Sequence, residues 1–219
     1  MIVERFSPYA ELACKLLPMN SDEGDGSHDV SHIERVWANA KRIQAEEGGD
    51  PELVAAAVLL HDCFHVPKNS PLRSSASKLA AEKAGKALEA LSWEQPRIQI
   101  VTGAILTHSF SAGLTPTSLE GRILQDADRL DAIGFNGIAR CFYSAGRMGS
   151  RLYDGADPLG AKRALDDRSF ALDHFPLKLL KLAEGFQTAA GRRLAAERSC
   201  VLHNFYDGMV QEIGDEPAR

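Results

Sequence analysis

The pair His61-Asp62 directly follows a run of apolar residues, 53–60, that is predicted to be helical. Burying an imidazole beside a carboxylate is costly unless both groups are paired or bind an ion. His32, on the preceding predicted helix, and Asp126, on a later one, are further candidates for the same site. Two imidazoles and two carboxylates would suit a borderline or hard divalent cation. A single buried His-Asp pair is more often a satisfied core pair, so the interpretation depends on all four residues together.

Helices are predicted to carry these residues. Apolar residues recur at three- and four-residue steps over residues 29–47, namely at Val30, Ile33, Trp37, Ala40 and Ile43. Asp50 and Pro51 predict the N-cap and first residue of a second helix, which leads to His61. That helix is apolar nearly all round and is therefore predicted to lie at the centre of the core.

Further helices are predicted over residues 74–91, 96–108 and 119–133, with one or two closing helices over 176–212. The glycine-rich stretch 144–160 is predicted to be a long irregular loop. For the wider segment 144–173, a lid over the site and a contact between two copies of the chain, as in a homodimer, remain alternatives. Because no segment shows the alternation typical of strands, the predicted fold class is all-α.

The composition is that of an ordinary globular domain. The chain has 219 residues, of which 44% are hydrophobic, and its formal net charge of -5 argues against a nucleic-acid-binding protein. The four cysteines form no CxxC motif, which fits a reducing compartment. The N-terminus lacks the pattern of a signal peptide, and the longest apolar run is too short to span a membrane. We therefore expect a cytoplasmic protein with no membrane or nucleic-acid partner.

The order His32, His61-Asp62, Asp126 resembles the HD-domain superfamily of metal-dependent phosphohydrolases, which is named for its adjacent His-Asp pair. The resemblance implies an all-α helical bundle with short loops, in which these four residues bind the metal. It covers about residues 22–137 of a single domain spanning 1–219, and leaves a C-terminal helical extension of about 138–219. The implied cofactor is a divalent ion, with Mn²⁺ or Mg²⁺ ahead of Ni²⁺, Co²⁺, Fe²⁺ and Zn²⁺.

Three further segments, 66–71, 125–129 and 138–142, look like those of a subgroup of small bacterial HD hydrolases. Members of that subgroup hydrolyse nucleoside triphosphates, in some cases to the monophosphate and pyrophosphate. The predicted substrate is therefore a small phosphorylated molecule, most simply a nucleotide. The alternatives are a phosphodiesterase or nucleoside-monophosphate phosphatase at the same site, a di-iron oxygenase, and a non-catalytic module that senses nucleotides.

Catalytic roles are predicted for Asp62, His65, Lys68 and His108. Asp62, or a carboxylate that orients a metal ligand, is the candidate to accept a proton from water, and His65 or His108 is the candidate to protonate a leaving group. His108 ends a predicted helix, so capping of the helix C-terminus is the alternative role. His28 also precedes an aspartate, but we prefer His32 as the ligand because Arg35-Val36 follow it as in the family.

Phosphate binding is predicted for Lys68, Arg73 and Arg129. A guanidinium group can hold phosphate oxygens in bidentate fashion, whereas an ammonium group acts as a point charge. The alternative role of Arg129 is a salt bridge that orients a ligand carboxylate. Asp128 is predicted only to orient its neighbours, and Cys63 and Cys141 are predicted to be buried, unreactive thiols.

Overall fold

The computed structural model describes residues 2–19, 30–64, 66, 75–109 and 113–214. Within them, the α-helices are α1 Ala10–Leu16, α2 Val30–Glu47, α3 Pro51–Leu60, α4 Ala76–Ala90, α5 Gln95–His108, α6 Leu119–Asp131, α7 Gly134–Met148, α8 His174–Leu177 and α9 Ala189–Ile213. Short 3-10 helices cover Ile2–Phe6, Leu17–Met19 and Leu179–Gly185. These ranges contain no strand beyond one isolated bridge between Arg151 and Phe170. The all-α prediction is confirmed.

The chain divides into two compact units. The first comprises Met1–Arg129 together with Gln187–Gly191, and the second comprises Leu130–Phe186 together with Arg192–Arg219. The assignment of residues 1–219 to a single domain stays a prediction. In the ranges that the structure covers, no helix combines the length and the apolar character needed to cross a membrane.

Helix α3 forms the centre of the first unit. Asp50 caps its N-terminus, because its carboxylate accepts hydrogen bonds from the backbone N–H groups of Glu52 and Leu53 at 2.9 and 3.2 Å. Residues 53–60 are all buried, and the helix contacts α1, α2, α4 and α5. Each buried Leu or Val contributes roughly 1.5–3 kcal/mol. The position of His61, immediately after this helix, is thereby fixed within the core.

Helix α2 turns one face towards this core. Ile33, Trp37, Ala40 and Ile43 are buried as predicted, but Val30 is 41% exposed because the helix only begins at that residue. Two polar residues share the buried face, His32 and Asn39. They lie seven residues apart, so they stand two turns from each other on the same side of the helix.

The second unit contains a helix where the sequence predicts a loop. Helix α7 continues to Met148, so the predicted loop over 144–160 is wrong for residues 144–148. The helix ends at Gly149, which has a left-handed backbone (φ 73°), and the N–H of Ser150 returns to the carbonyl of Ala145 at 2.9 Å. Glycine thus marks the end of this helix and does not prevent it from forming.

Hydrogen bonds to one buried aspartate hold the segment after α7 together. Asp173 is buried and accepts a hydrogen bond from Arg163 Nη2 at 2.9 Å, and the N–H of Asp166 donates to the same carboxylate at 2.7 Å. These contacts order a stretch that contains little regular secondary structure.

Candidate metal centre

Two histidines and two aspartates from three parts of the first unit face one another. The Nε2 atoms of His32, on α2, and His61, after α3, lie 3.2 Å apart. Asp62 Oδ2 lies 3.7 Å from His32 Nε2 and 3.6 Å from His61 Nε2. Asp128, on α6, places Oδ1 3.5 Å from His32 Nε2. The core helices therefore bring four groups that can bind a metal to one point.

The tautomer of His61 follows from its surroundings. Its Nδ1 lies 2.8 Å from the carbonyl oxygen of Val58, and since a carbonyl only accepts, Nδ1 carries the hydrogen. Burial lowers the pKa of His61 and the neighbouring imidazoles lower it further, against the opposing effect of Asp62. The ring is therefore neutral at pH 7, and the lone pair of Nε2 points towards His32 and Asp62.

A third imidazole lies on the other side of Asp62. His108, the last residue of α5, donates from Nδ1 to the carbonyl of Ile105 at 2.6 Å. Its Nε2 lies 3.7 Å from Asp62 Oδ1, which is too long for a direct hydrogen bond but close enough for strong electrostatic attraction. Burial alone would lower the pKa of His108, but Asp62 and Asp128 raise it above its ordinary value.

The carboxylate of Asp62 faces all three imidazoles, and its side chain is the most exposed in the cluster. Its side chain is 36% exposed, whereas that of His61 is 1% exposed. Burial would raise the pKa of Asp62, yet the three surrounding imidazoles hold it well below its usual range. The carboxylate is therefore ionised at neutral pH and faces both the cluster and solvent.

The chemistry of this cluster fits a divalent cation. Two nitrogen ligands about 2.1 Å from one ion, at roughly 90–110° to each other, lie about 3.0–3.4 Å apart. The observed separation between His32 Nε2 and His61 Nε2 is 3.2 Å. In the ranges that the structure covers, the ligand atoms of His32, His61 and Asp128 all lie within 4.8 Å of one another. A positive ion at this point would satisfy two carboxylates and the lone pair of His61.

Asp126 is not part of this cluster, which corrects the ligand assignment made from the sequence. Its Oδ1 accepts a hydrogen bond from the N–H of Gln187 at 2.8 Å. Its Oδ2 accepts from the N–H and the hydroxyl of Thr188 at 2.8 and 2.7 Å. Residues two positions apart on a helix differ in direction by about 200°. Since Asp128 faces His32, Asp126 faces away from it.

The sequence predicts only an orienting role for Asp128, because spacing alone does not show which of the two aspartates faces the histidines. Both lie on the same predicted helix, and only the contacts of that helix decide which carboxylate faces His32. The helical period could have shown that the two cannot share one face, but not which one faces the histidines. The partners of Asp126 lie 61 and 62 residues further along the chain.

Two polar residues that the prediction also missed hold the ligand segments in place. Asn39, on the same face of α2 as His32, donates from Nδ2 to the carbonyl of Ala127 at 3.0 Å. Lys83 donates from Nζ to the carbonyl of Cys63 at 2.7 Å, directly after Asp62. The signal that could have identified Asn39 is its place as a buried asparagine on the same helix face as His32. No signal in the sequence identifies Lys83.

Of the remaining predicted site residues, the structure describes Arg129. Arg129 is 9% exposed, and although burial lowers its pKa, Asp126 and Asp128 oppose that effect. It thus lies where it can neutralise a ligand carboxylate, and its predicted role in phosphate binding stays a prediction. His28, His65, Lys68 and Arg73 lie outside the described residues.

Known proteins are similar to this chain in sequence. The HD domain family matches residues 29–133. The protein YpgQ of Bacillus subtilis is 34% identical over 193 residues, which cover 88% of this chain and 85% of that protein.

Solved structures are also similar. An HD-superfamily hydrolase of Bacillus thuringiensis is 30% identical, with a TM-score of 0.70 over 99% of this chain and 100% of that chain. The structure of Bacillus subtilis YpgQ in complex with ADP is 31% identical, with a TM-score of 0.68 over 92% of this chain and 97% of that chain.

Proposed function

Because this chain belongs to the HD-domain family and is a metal-dependent phosphohydrolase, we propose that it hydrolyses nucleoside triphosphates to the monophosphate and pyrophosphate. The observation that carries the proposal is the convergence of His32, His61, Asp62 and Asp128 beside a third imidazole, His108. The complex of YpgQ with ADP supports a nucleotide as the substrate, because ADP contains the same type of phosphoanhydride bond.

The proposed metal ligands are His32, His61, Asp62 and Asp128. A divalent cation bound there, Mn²⁺ or Mg²⁺, supplies Lewis acidity towards a phosphoryl oxygen and activates water for attack. The protein contributes neutral imidazole nitrogen at His61 and ionised oxygen at Asp62. Four protein ligands leave coordination positions open on an ion that prefers six, as a catalytic site requires.

Asp62 and His108 form the proposed proton-handling pair. Asp62 Oδ2 faces the two ligand histidines, while Oδ1 faces His108 Nε2. The Asp62 and Asp128 carboxylates raise the pKa of His108 above its ordinary value, which favours the protonated imidazole. As the general acid, His108 would give that proton to the pyrophosphate oxygen as the bond to the α-phosphorus breaks, and Asp62 would accept the proton of the attacking water. Asp62 stabilises the imidazolium before the transfer.

The negative charge of the substrate's phosphate groups would be neutralised by Arg129, Lys68 and Arg73. Arg129 lies next to Asp128 in the sequence and is shielded from solvent, so its charge acts at low dielectric. The assignment of Lys68 and Arg73 rests on their position shortly after the His-Asp pair. Stabilising charge on the phosphoryl oxygens is the main task of a protein in phosphoryl transfer.

A substrate panel tests this function. Wild-type protein with Mn²⁺ would be given nucleoside triphosphates, diphosphates, monophosphates and cyclic nucleotides, with pyrophosphate and phosphate quantified separately. The matched variants are Asp62→Asn and Glu197→Gln, which neutralise a carboxylate of the cluster and an exposed surface carboxylate respectively.

We expect pyrophosphate release from triphosphates that falls by about 100-fold or more in Asp62→Asn, because several kcal/mol of transition-state stabilisation are lost. Glu197→Gln should behave like the wild type. Faster turnover of monophosphates or cyclic nucleotides would replace the triphosphate assignment. Nucleotide binding without any turnover would indicate a sensing module.

A further inference from the structure

We infer that Asp126 is a positioning residue whose carboxylate, held by residues 187–191, fixes the rotation of α6 and thereby presents Asp128 to the metal site. The inference rests on the proposed function, because it takes Asp128 as a metal ligand. It gives a separate task to each of two aspartates that stand two residues apart on the same helix.

The contacts of Asp126 use both carboxylate oxygens. The N–H groups of Gln187 and Thr188 and the hydroxyl of Thr188 donate to it at 2.7–2.8 Å. Thr188 Oγ1 in turn accepts from the N–H of Gly191 at 2.9 Å, the hydrogen bond of a helix N-cap. Asp126 is completely buried, so water does not compete for these bonds. The carboxylate therefore has one well-defined position.

Gly191 fits closely against this carboxylate. A Cβ atom at position 191 would overlap Asp126 Oδ2, lie 2.8 Å from Asp126 Cγ and lie 2.7 Å from Thr188 Oγ1. Its φ does not require glycine, so the close approach to Asp126 and Thr188 explains the residue. The first turn of α9 can approach α6 this closely only without a side chain at this position.

The rotation of α6 is fixed from two directions. Residues 187–191 hold Asp126 on one side, and Asn39 on α2 holds the carbonyl of Ala127 at 3.0 Å. Asp128 is the next residue along the helix. A rotation of α6 by about 20° would move a carboxylate about 6 Å from the helix axis by about 2 Å. Metal sites tolerate displacements of only about 0.2–0.5 Å.

A second carboxylate also binds the start of α9. It provides a control that distinguishes positioning of Asp128 from stabilisation of this helix end. Glu47, the last residue of α2, accepts from the N–H of Ala190 at 2.7 Å through Oε1. This contact also stabilises the start of α9, but it involves neither α6 nor Asp126. Glu47→Ala is therefore a matched control for loss of a hydrogen bond at this helix end.

The test measures Mn²⁺ affinity, from the electron paramagnetic resonance signal of the free ion, together with the thermal midpoint of unfolding. The variants are Gly191→Ala, Thr188→Val and Thr188→Ser, with Glu47→Ala as the control. We expect Gly191→Ala and Thr188→Val to weaken Mn²⁺ binding by about 10- to 100-fold, the range found for residues that orient metal ligands. Thr188→Ser keeps the hydroxyl and should therefore bind Mn²⁺ with about the wild-type affinity. Glu47→Ala should lower the midpoint but leave the affinity within about twofold.

Unchanged Mn²⁺ affinity in both Gly191→Ala and Thr188→Val would overturn the inference, as would equal weakening in Glu47→Ala. If Gly191→Ala does not fold, the Thr188 pair decides alone. Asp128→Asn and His61→Gln report on the metal centre itself. If these two variants bind Mn²⁺ normally, the proposed centre fails. If they lose the ion while the Thr188 and Gly191 variants keep it, only the positioning role fails.

Discussion

The Nε2 atoms of His32 and His61 lie 3.2 Å apart, although the two residues are 29 positions apart in the chain. His61 donates through Nδ1 to a backbone carbonyl, so its Nε2 presents a lone pair to this gap. Two aspartate carboxylates face the same gap. Two negative carboxylates and a nitrogen lone pair therefore lie close together, and a cation bound between them would relieve their mutual repulsion.

Metal binding should therefore stabilise the fold. Mn²⁺ at about 100 times its dissociation constant should raise the free energy of unfolding by about 2.7 kcal/mol, and a chelator should abolish the gain. Thermal unfolding with and without Mn²⁺ measures it. Asp128→Asn should lose most of the metal-dependent shift, because it removes an ionised ligand. A full shift in this variant would exclude Asp128 from the site.

His108→Gln should separate proton transfer from metal binding. Loss of a general acid lowers kcat by about 10²- to 10⁴-fold, while Mn²⁺ affinity should stay near that of the wild type. A general acid must be protonated to act, so wild-type kcat should fall as the pH rises through the pKa of His108 and the imidazolium is lost.

The His108→Gln variant should lack this fall in kcat at alkaline pH. Because the pKa of His108 is raised in the folded protein, the stability that His108 contributes is present below pH 6.5. It is lost as the pH rises through the folded-state pKa. Full activity of His108→Gln at every pH would leave His108 with a structural role only.

Arg129 should contribute to substrate affinity through its planar guanidinium group. Arg129→Lys keeps the charge but loses the bidentate geometry, so the KM for a triphosphate should rise, and Arg129→Met should raise it further. We expect an increase of about tenfold for lysine, from steady-state kinetics at saturating Mn²⁺. If KM is unchanged and only Mn²⁺ affinity falls, Arg129 orients Asp128 and does not bind phosphate.

Most of the fold could be predicted from local signals. The boundaries of α3 follow from Asp50, Pro51 and the apolar run, and the structure shows the expected cap. The period of apolar residues identifies α2, and its end at Glu47 agrees with the prediction. These signals are local because caps and amphipathic faces depend on residues within one or two turns.

The site could be predicted only in part, because its details depend on contacts between distant residues. The approach of His32 to the His61-Asp62 pair follows the family pattern. The choice between Asp126 and Asp128 depends on Thr188 and Gly191, which no local pattern connects to α6. Helix α7 continues through residues 144–148 because one glycine inside a helix, Gly146, costs only about 1 kcal/mol and does not end it.

The cysteines should differ sharply in reactivity. Burial raises the pKa of Cys63 and of Cys141 to about 11, whereas Cys14 and Cys200 are exposed. At pH 8, an alkylating reagent should label Cys14 and Cys200 quickly and the other two only slowly, as peptide mass spectrometry can resolve.

The raised thiol pKa values also predict that the free energy of unfolding falls as the pH rises from about 9 to about 11, because the unfolded thiols ionise first. Rapid labelling of Cys63 in native protein would mean that this thiol is accessible despite its burial in the structure.

One divalent cation should be bound between four side chains, those of His32, His61, Asp62 and Asp128. The most direct measurement is anomalous diffraction at the manganese edge from crystals of the full chain grown with Mn²⁺. We expect a single strong peak within about 2.0–2.3 Å of His32 Nε2, His61 Nε2 and a carboxylate oxygen of both Asp62 and Asp128, with Asp126 still bound to Thr188. A peak at Asp126, or none near the two histidines, would contradict this assignment of the metal ligands.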